Sequence, residues 1–232
     1  LFLTDKSELV PEIIRKLTHT EMFEDIVVSA QPIPLRFKGN FYILVYMTAD
    51  SDEELEFKKK MAWDALWVYF ESKDGGFVSV TPDMKPAFLA MPSKDTTRFA
   101  DVSKGGGFEY SGPITPIDNF PIFIKKLEEK AEEYKLFYAS SARVIDAGHS
   151  MMFSFSYTFN RANPDEMKRA KKALDEAAEF ALEKGGVIWK PNINEQQMIM
   201  ERIDPNTLKF MTSIKQLLDP NGIMNPGNWE AK

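Results

Sequence analysis

The chain closes with Leu218-Asp219-Pro220-Asn221-Gly222-Ile223-Met224-Asn225-Pro226-Gly227-Asn228-Trp229. Pro220 stops the preceding helix, because the residue before a proline is pushed out of the helical region. Asn221 and Gly222 then accept positive φ, and a second turn follows the apolar pair Ile223 and Met224. Two turns around an apolar pair predict either an ordered helix stop or a tail pinned onto another surface.

The composition is that of an ordinary folded protein. The chain has 232 residues, 44% of them hydrophobic and 28% charged, which is enough for one large core or two small ones. A net charge of -6 argues against a broad basic face for nucleic acid. The chain has no cysteine, which excludes disulfides, cysteine-ligated clusters and thiol catalysis.

Location and completeness give weaker expectations. No apolar run approaches the length of a membrane-spanning helix, and no signal-peptide pattern is present, so we expect a cytoplasmic protein. The first residue is Leu1 rather than Met, which suggests a fragment, a processed chain or an incomplete record.

The first half alternates between helical and strand periods. Helical spacing over residues 7–24 predicts a helix with Ser7 as its N-cap. Residues 41–47 predict a buried strand, and a helix then runs from Ser51 to about Glu71, with Ser51 and Glu54 at capping-box spacing. Residues 77–80 predict a strand, whereas the prolines and glycines of residues 81–117 predict mostly loop, or loop with short strands.

The second half repeats this order. It predicts a helix over 118–134, strands over 137–145 and 151–159, a helix over 164–184 and a strand over 187–189. The pair Gly185-Gly186 ends its helix 110 residues after Gly75-Gly76 ends the earlier one. We therefore predict an α+β fold of two pseudo-repeated ferredoxin-like (βαβ-type) halves, about 1–100 and 101–200, which share a mainly antiparallel sheet with helices on one face. Residues 201–232 add a helix and the closing turn.

Several catalytic and cofactor motifs are missing from the sequence. It lacks a Gly-x-Gly-x-x-Gly phosphate turn, a Gly-x-x-x-x-Gly-Lys loop and a Gly-x-Ser-x-Gly elbow. The run Gly105-Gly106-Gly107 precedes no helix, which argues against a phosphate cradle. The two histidines, His19 and His149, each lack a second histidine at ligand spacing, so we expect no metal site.

Residues 105–229 resemble the C-terminal, substrate-binding half of FAD-linked oxidases of the vanillyl-alcohol oxidase, p-cresol methylhydroxylase and D-lactate/glycolate dehydrogenase type. In that family, a helix ending in Leu-Asp-Pro-Asn-Gly-Ile-x-Asn-Pro-Gly closes the protein. The resemblance implies that this chain is a cap over an FAD which a different domain or subunit holds, and that it helps to oxidise an alcohol, phenol or hydroxy acid by hydride transfer to the flavin. The resemblance therefore also implies that the FAD-binding domain is absent from this chain.

Two departures from the lactate-type members bear on the substrate. The chain keeps Gly148-His149 but lacks the following glycine-rich insert and second histidine, and Pro191-Asn192 stands where those members have Glu-His. The resemblance therefore implies no metal-assisted hydroxy-acid chemistry, and an aromatic or apolar substrate is slightly favoured.

The candidate site residues combine the resemblance with residue chemistry. His149 fits either a hairpin corner or a catalytic role, Lys190 either solvent or a substrate anion, and Trp189 either core or pocket wall. In the strand 151–159, alternate residues share one face, which is mostly helix-packing core. The candidates are His149 and Tyr110 as catalytic residues; Arg143, Met151, Trp189, Lys190 and Asn192 for substrate; and Asn225 for the cofactor.

The implied partners are an FAD-binding domain or subunit, a small-molecule substrate and an electron acceptor, in an oligomer without nucleic acid. The alternative is a stand-alone ferredoxin-like module that binds a ligand or regulates without catalysis. An exposed apolar patch for the FAD half would favour the enzyme.

Overall fold

A computed structural model describes residues 1–30, 41–77 and 106–229 of the chain. The described part of the first half contains β1 (Phe2–Thr4), α1 (Val10–Thr18), β2 (Asp25–Ala30), β3 (Phe41–Tyr46), α2 (Asp52–Glu71) and β4 (Gly76–Phe77). The second half contains β5 (Gly106–Ser111), β6 (Pro113–Pro116), α3 (Phe120–Tyr134), β7 (Phe137–Ile145), β8 (Ser150–Asn160), α4 (Pro164–Glu183) and β9 (Val187–Ile188). Two helices follow, α5 (Ile193–Met200) and α6 (Pro205–Leu218). Short 3-10 turns at Ser7–Leu9, Ile117–Asn119 and Asp146–Gly148 precede α1, α3 and β8.

All described strands join one sheet in the order β4-β1-β3-β2-β7-β8-β6-β9, and β5 also pairs with β8. Every pairing is antiparallel. The two halves have mirrored orders, 4-1-3-2 and 2-3-1-4, and they meet where β2 pairs with β7. This is the α+β fold of two ferredoxin-like halves that the sequence predicts.

One face of the sheet, the helix face, carries the hydrophobic core. Its residues on β8 are Met151, Phe153, Phe155, Tyr157 and Phe159, and they pack in one cluster with apolar residues of α1, α2, α3 and α4. The alternate strand residues, such as Val27, Tyr42 and Leu44, lie outside that cluster. We call their side of the sheet the open face.

The ends of several elements differ from the predictions. The first helix ends at Thr18 rather than at residue 24, and its N-cap position is Leu9, without a side-chain cap. The prediction of Ser7 as that cap was wrong, because Ser7 begins a 3-10 turn instead. Ser51 caps α2, because its hydroxyl accepts from the Glu54 amide. The Glu54 carboxylate accepts from the amide of Asp50 rather than from that of Ser51.

Strands β1 and β2 were not predicted, whereas β5 and β6 are short strands in the region predicted as loop or as loop with short strands. Within β5, a Cβ at Gly107 would lie 2.5 Å from the ring of Phe159, so a glycine permits this strand to approach β8. Glycines that we interpreted as loop residues therefore serve close strand packing. The predicted strand residues 78–80 and the rest of the predicted loop, 81–105, lie outside the described residues.

The described helices provide no membrane span. Among residues 1–30, 41–77 and 106–229, no helix combines the length and the apolar character that crossing a bilayer requires.

Candidate functional site

Small polar side chains cross the open face in one register. Ser29 lies opposite Ser141, and Ser141 lies opposite Ser154, so three adjacent strands place serines side by side. We call these three residues the serine row. Tyr42 extends the row at one end, opposite Ser29, and Trp189 lies at the other end. Neighbouring strands are about 4.8 Å apart, so the small side chains of the row lie side by side between the larger Tyr42 and Trp189.

The Trp189 end of the row depends on Gly112. A Cβ at Gly112 would lie 3.1 Å from Cδ1 of Trp189 and 3.7 Å from Oγ of Ser154, so the indole lies against bare backbone. The Trp189 amide also donates to the Gly112 carbonyl oxygen at 3.1 Å. These contacts hold the indole beside Ser154, where 45% of its surface remains exposed.

The two ends of the row differ in accessibility. Tyr42 and Ser29 are buried, and the Ser29 hydroxyl has no hydrogen-bond partner among the residues that the structure describes. Ser154 is half-buried, and next to it on the open face lie half-buried Met152 and exposed Arg143. We call Arg143, Met152, Ser154 and Trp189, together with Tyr110, the open end.

Tyr110 flanks the open end on the other side. It lies opposite Ser156 on β8, two residues beyond Ser154, and is 36% exposed. Arg143 lies opposite Met152, two residues before Ser154. Strand geometry therefore separates the positions of Tyr110 and Arg143 by about 13 Å along β8, with Ser154 midway.

The charge at this end of the sheet comes from two cations and one paired acid. Arg143 Nε lies 3.2 Å from the Asp25 carboxylate. Tyr46, across from Asp25, has its pKa raised to about 12 by burial and by Asp25, while Arg143 opposes the shift. Lys190 is exposed, and its Nζ lies 4.3 Å from the centre of the Trp189 ring. The Lys190 ammonium therefore makes a cation–π contact with the indole and adds positive charge at the Trp189 end of the row.

Four predicted site residues lie elsewhere. Met151, a predicted substrate contact, lies on the helix face and is fully buried, whereas the next residue, Met152, is half-buried on the open face. His149 lies at the exposed corner after the 3-10 turn, and its carbonyl oxygen accepts from the Ile117 amide. The structure does not bring it into the serine row.

Asn192 and Asn225 both make hydrogen bonds that stabilise the local backbone. The Asn192 side chain accepts from the Glu195 amide while Glu195 accepts from the Asn192 amide, which forms a capping box at the start of α5. Asn225 lies in the closing turn with φ of 47°, and its carbonyl oxygen accepts from the Asn228 amide. Neither residue lies on the open face.

Sequence reasoning missed the serine row. One available signal was the run of small residues from Ala139 to Ala142. Within a predicted strand, this run places small side chains on both faces. Ser29 could not be placed, because the strand that carries it was not predicted.

Glu195 is a buried acid behind the site. Burial raises its pKa, and the charges of Asp175 and Glu109 add to the shift, whereas Ser111 and the Asn192 amide oppose it. The Ser111 hydroxyl and one Glu195 oxygen face each other without reaching hydrogen-bond geometry. This carboxyl group therefore holds a proton more readily than an ordinary glutamate.

The closing turn is anchored by Asp219. Its buried carboxylate accepts from Lys215 and from the amides of Met224 and Ile223, and these bonds lower its pKa to about 2. A single acid thus ties the end of α6 to both apolar residues of the turn.

Helix α6 buries none of its residues. An exposed apolar surface, the α6 surface, instead runs along the helix and onto the turn, where Leu217 is 80% and Ile223 is 77% exposed. Its members are Phe210, Ile214, Leu217, Leu218, Ile223 and Met224. Isolated exposed apolar residues are ordinary, but a contiguous set of six is typical of a docking surface.

Metal ligands do not cluster in the described residues. Within 1–30, 41–77 and 106–229, no group of three or more His, Cys, Asp or Glu side chains is arranged to hold a metal ion.

Comparisons with known proteins identify the fold. Residues 6–229 match the family described as FAD linked oxidases, C-terminal domain. The 4-cresol dehydrogenase [hydroxylating] flavoprotein subunit of Pseudomonas putida is 25% identical over 123 residues, which are 53% of this chain and 24% of that protein.

Two solved structures have a similar fold. The structure of p-cresol methylhydroxylase with substrate bound gives a TM-score of 0.76 at 17% identity and covers 100% of this chain and 53% of its own. That of 4-ethylphenol oxidase from Gulosibacter chungangensis, in complex with isoeugenol, gives 0.75 at 14% identity and covers 98% and 52%. The chain therefore spans about half the length of these structures, and it belongs to the family of FAD-linked oxidase C-terminal domains.

Proposed function

We propose that this chain is the substrate-binding cap of an FAD-dependent oxidoreductase that oxidises a phenol or an aromatic alcohol. The observation that carries the proposal is the open end, where Trp189, Met152 and Tyr110 lie around half-buried Ser154 and where exposed Arg143 and Lys190 add positive charge. Apolar and aromatic walls with few polar groups are the usual lining of a small-molecule site. The relatives support the substrate class, since their names refer to 4-cresol, p-cresol and 4-ethylphenol.

The side chains of the open end have separable roles in this proposal. The indole of Trp189 provides a flat wall for the substrate ring. Lys190, next to that wall, stabilises a phenolate and so lowers the pKa of the phenol that it binds. Arg143 adds positive charge, which Asp25 partly neutralises. Tyr110 donates from its hydroxyl to a substrate oxygen.

The chain fits the ring system of a flavin better than its diphosphate. Helices α2, α4, α5 and α6 have their first amides satisfied by their own caps, Ser51, Asn163, Asn192 and Asp204. Helices α1 and α3 have proline in the first turn. In our proposal, a different domain or subunit therefore holds the phosphates, and this chain contributes the shallow open face. The bound flavin would supply the chemistry by accepting a hydride.

The α6 surface supports a cap over a stand-alone module. A self-contained binding module has no need of a helix that buries none of its residues, whereas a cap needs an apolar face for its FAD-binding partner. We propose that this partner covers the α6 surface and that Asn225, next to exposed Met224, lies toward the flavin.

The test combines the chain with its FAD-binding partner and follows the visible absorbance of the flavin without oxygen. We expect 4-alkylphenols and aromatic alcohols to bleach the flavin and 2-hydroxy acids to leave it oxidised. Bleaching by hydroxy acids alone would show that the substrate class is wrong.

A charge variant tests the role of Lys190. Lys190→Met should raise the KM for a 4-alkylphenol at least about tenfold, because a charge-assisted contact is lost. Lys168→Met is the matched control, since Lys168 is an exposed lysine on α4. Equal KM values for the two variants would remove Lys190 from the site.

A further inference from the structure

The loop that carries Lys190 and the closing turn converge on one side chain. Gln196, on the first turn of α5, donates from Nε2 to the Pro191 carbonyl oxygen at 3.2 Å. The same nitrogen donates to Asn228 Oδ1 at 3.2 Å, and Gln196 Oε1 accepts from the Trp229 amide at 2.9 Å. A single amide group thus joins a segment next to Lys190 to the end of the tail.

Burial makes these contacts consequential. Gln196 is only 7% exposed, and its three bonds use the oxygen and the nitrogen of the amide. Water has little access to replace a lost partner, so each broken bond leaves a buried polar group unpaired. The amide of Gln196 therefore has partners for its oxygen and its nitrogen only while all three bonds are made. Loss of any one of these bonds costs free energy.

Both joined segments are also fixed at their other ends. The capping box of Asn192 and Glu195 holds the start of α5 directly after Pro191. Asp219 holds the beginning of the closing turn, and the Asn225 carbonyl oxygen accepts from the Asn228 amide. Gln196 therefore links two segments that are each held at a second point.

We infer that Gln196 is a positioning residue that couples the closing turn to the loop of Lys190. Docking of the tail against the FAD-binding partner then sets the position of the Lys190 ammonium, which contacts the substrate. This inference rests on the proposed function for its catalytic consequence. The mechanical coupling rests only on the contacts above.

The experiment uses the chain together with its FAD-binding partner and compares two matched variants on α5. Gln196→Met keeps the size of the side chain and removes all three bonds. Asn194→Leu removes a different long-range bond of the same helix, from Asn194 Nδ2 to the Asp175 carboxylate on α4. Hydrogen exchange is followed in residues 187–192 and 219–229, and steady-state kinetics are measured with a 4-alkylphenol.

We expect Gln196→Met to speed exchange in both segments and to raise the KM about fivefold, with kcat changed less than twofold. Asn194→Leu should leave exchange in the two segments and the KM near their original values. Faster exchange in the tail alone, equal effects of the two variants, or an unchanged KM with both segments loosened would overturn the inference.

Failure of the proposed function gives a different result. If the unsubstituted protein oxidises no phenol, the substrate assignment is wrong, and the exchange comparison still decides whether Gln196 couples the two segments.

Discussion

The two halves of the sheet share a topology and differ in how tightly their long helices pack. Helix α4 buries five alanines and Leu174 against β8, so its backbone lies close to the sheet. Helix α2 buries only Ala62, Leu66 and Tyr69, and it leaves Trp63 and Trp67 exposed on its flank. Strand β8 has 11 residues, whereas its counterpart β3 has 6.

The two halves also contribute different parts of the candidate site. The second half provides a rigid support, and the open end, the α5 turn and the α6 surface are all built on it. The first half supplies the closed end of the serine row through Tyr42 and Ser29. Duplication of a fold therefore did not produce two equivalent sites.

We expect the largest difference between the halves in the stability that is lost when a core side chain is truncated. Phe153 and Ile43 occupy corresponding strands, and both are fully buried. Phe153 also contacts the rings of Phe120, Phe123 and Phe155 at 5.5 to 6.2 Å. We expect Phe153→Ala to lower the free energy of unfolding by about 4 kcal/mol and Ile43→Ala by about 3 kcal/mol, measured by urea denaturation. A larger loss for Ile43→Ala would reverse the ranking of the two halves.

A second comparison concerns the buried acid of the second half. Burial raises the pKa of Glu195 in the folded chain, so the folded state loses stability relative to the unfolded one as pH rises and this carboxyl group ionises. Glu195→Gln keeps an acceptor for the Asn192 amide and removes the charge. We expect its melting temperature at pH 8 to be about 2–4 °C higher than that of the original chain, with a smaller difference at pH 5. A lower melting temperature at pH 8 would show that the ionised group is stabilising.

A third change tests the tail that only the second half carries. Bonds from Lys215 and two amides lower the pKa of Asp219 to about 2. The stability that Asp219 gives to the closing turn is therefore present above the ordinary carboxyl pKa and is lost as pH falls toward 2. Asp219→Asn should speed proteolytic cleavage near the closing turn about fivefold while leaving urea denaturation nearly unchanged, because α6 buries nothing. Asp204→Asn, at the other end of α6, is the control.

The smallest expected effect is in the first half. The Ser29 hydroxyl is buried without a partner, so Ser29→Ala should change the free energy of unfolding by less than about 0.5 kcal/mol or stabilise the chain slightly. Ser140→Ala is the comparison, since that hydroxyl donates to the Ala30 carbonyl oxygen. A clear loss of stability in Ser29→Ala would mean that its hydroxyl has a partner in solution.

The periodic elements of the fold could be predicted from sequence. The strands at 137–145 and 151–159 and the capped helices after Ser51 and Asn163 follow from apolar spacing and side-chain caps. The three-residue β1 is too short to give a period, and β2 was hidden because its apolar residues directly follow the helical pattern of α1. Glycines of β5 indicated a loop, although Gly107 is needed for contact with Phe159.

The site was harder to predict than the fold. Which face a strand residue occupies follows from the pairing of its neighbours, and adjacent residues such as Met151 and Met152 lie on opposite faces. Gln196 and Asp219 are ordinary polar residues in sequence, and their importance comes from partners that the tail brings close only in the folded chain. Trp189 and Lys190 stay predictions, because the resemblance marks the turn that contains them but nothing yet tests their contact with a substrate.

The pairing of β2 with β7 has a consequence for the integrity of the molecule. The serine row crosses this junction, with Ser29 on one side and Ser141 and Ser154 on the other. Either half cut away would expose a bare strand edge, which invites aggregation, and would hold only part of the row. Because β2 and β7 hold corresponding positions and pair antiparallel, the surface at the junction is continuous only when both halves are present.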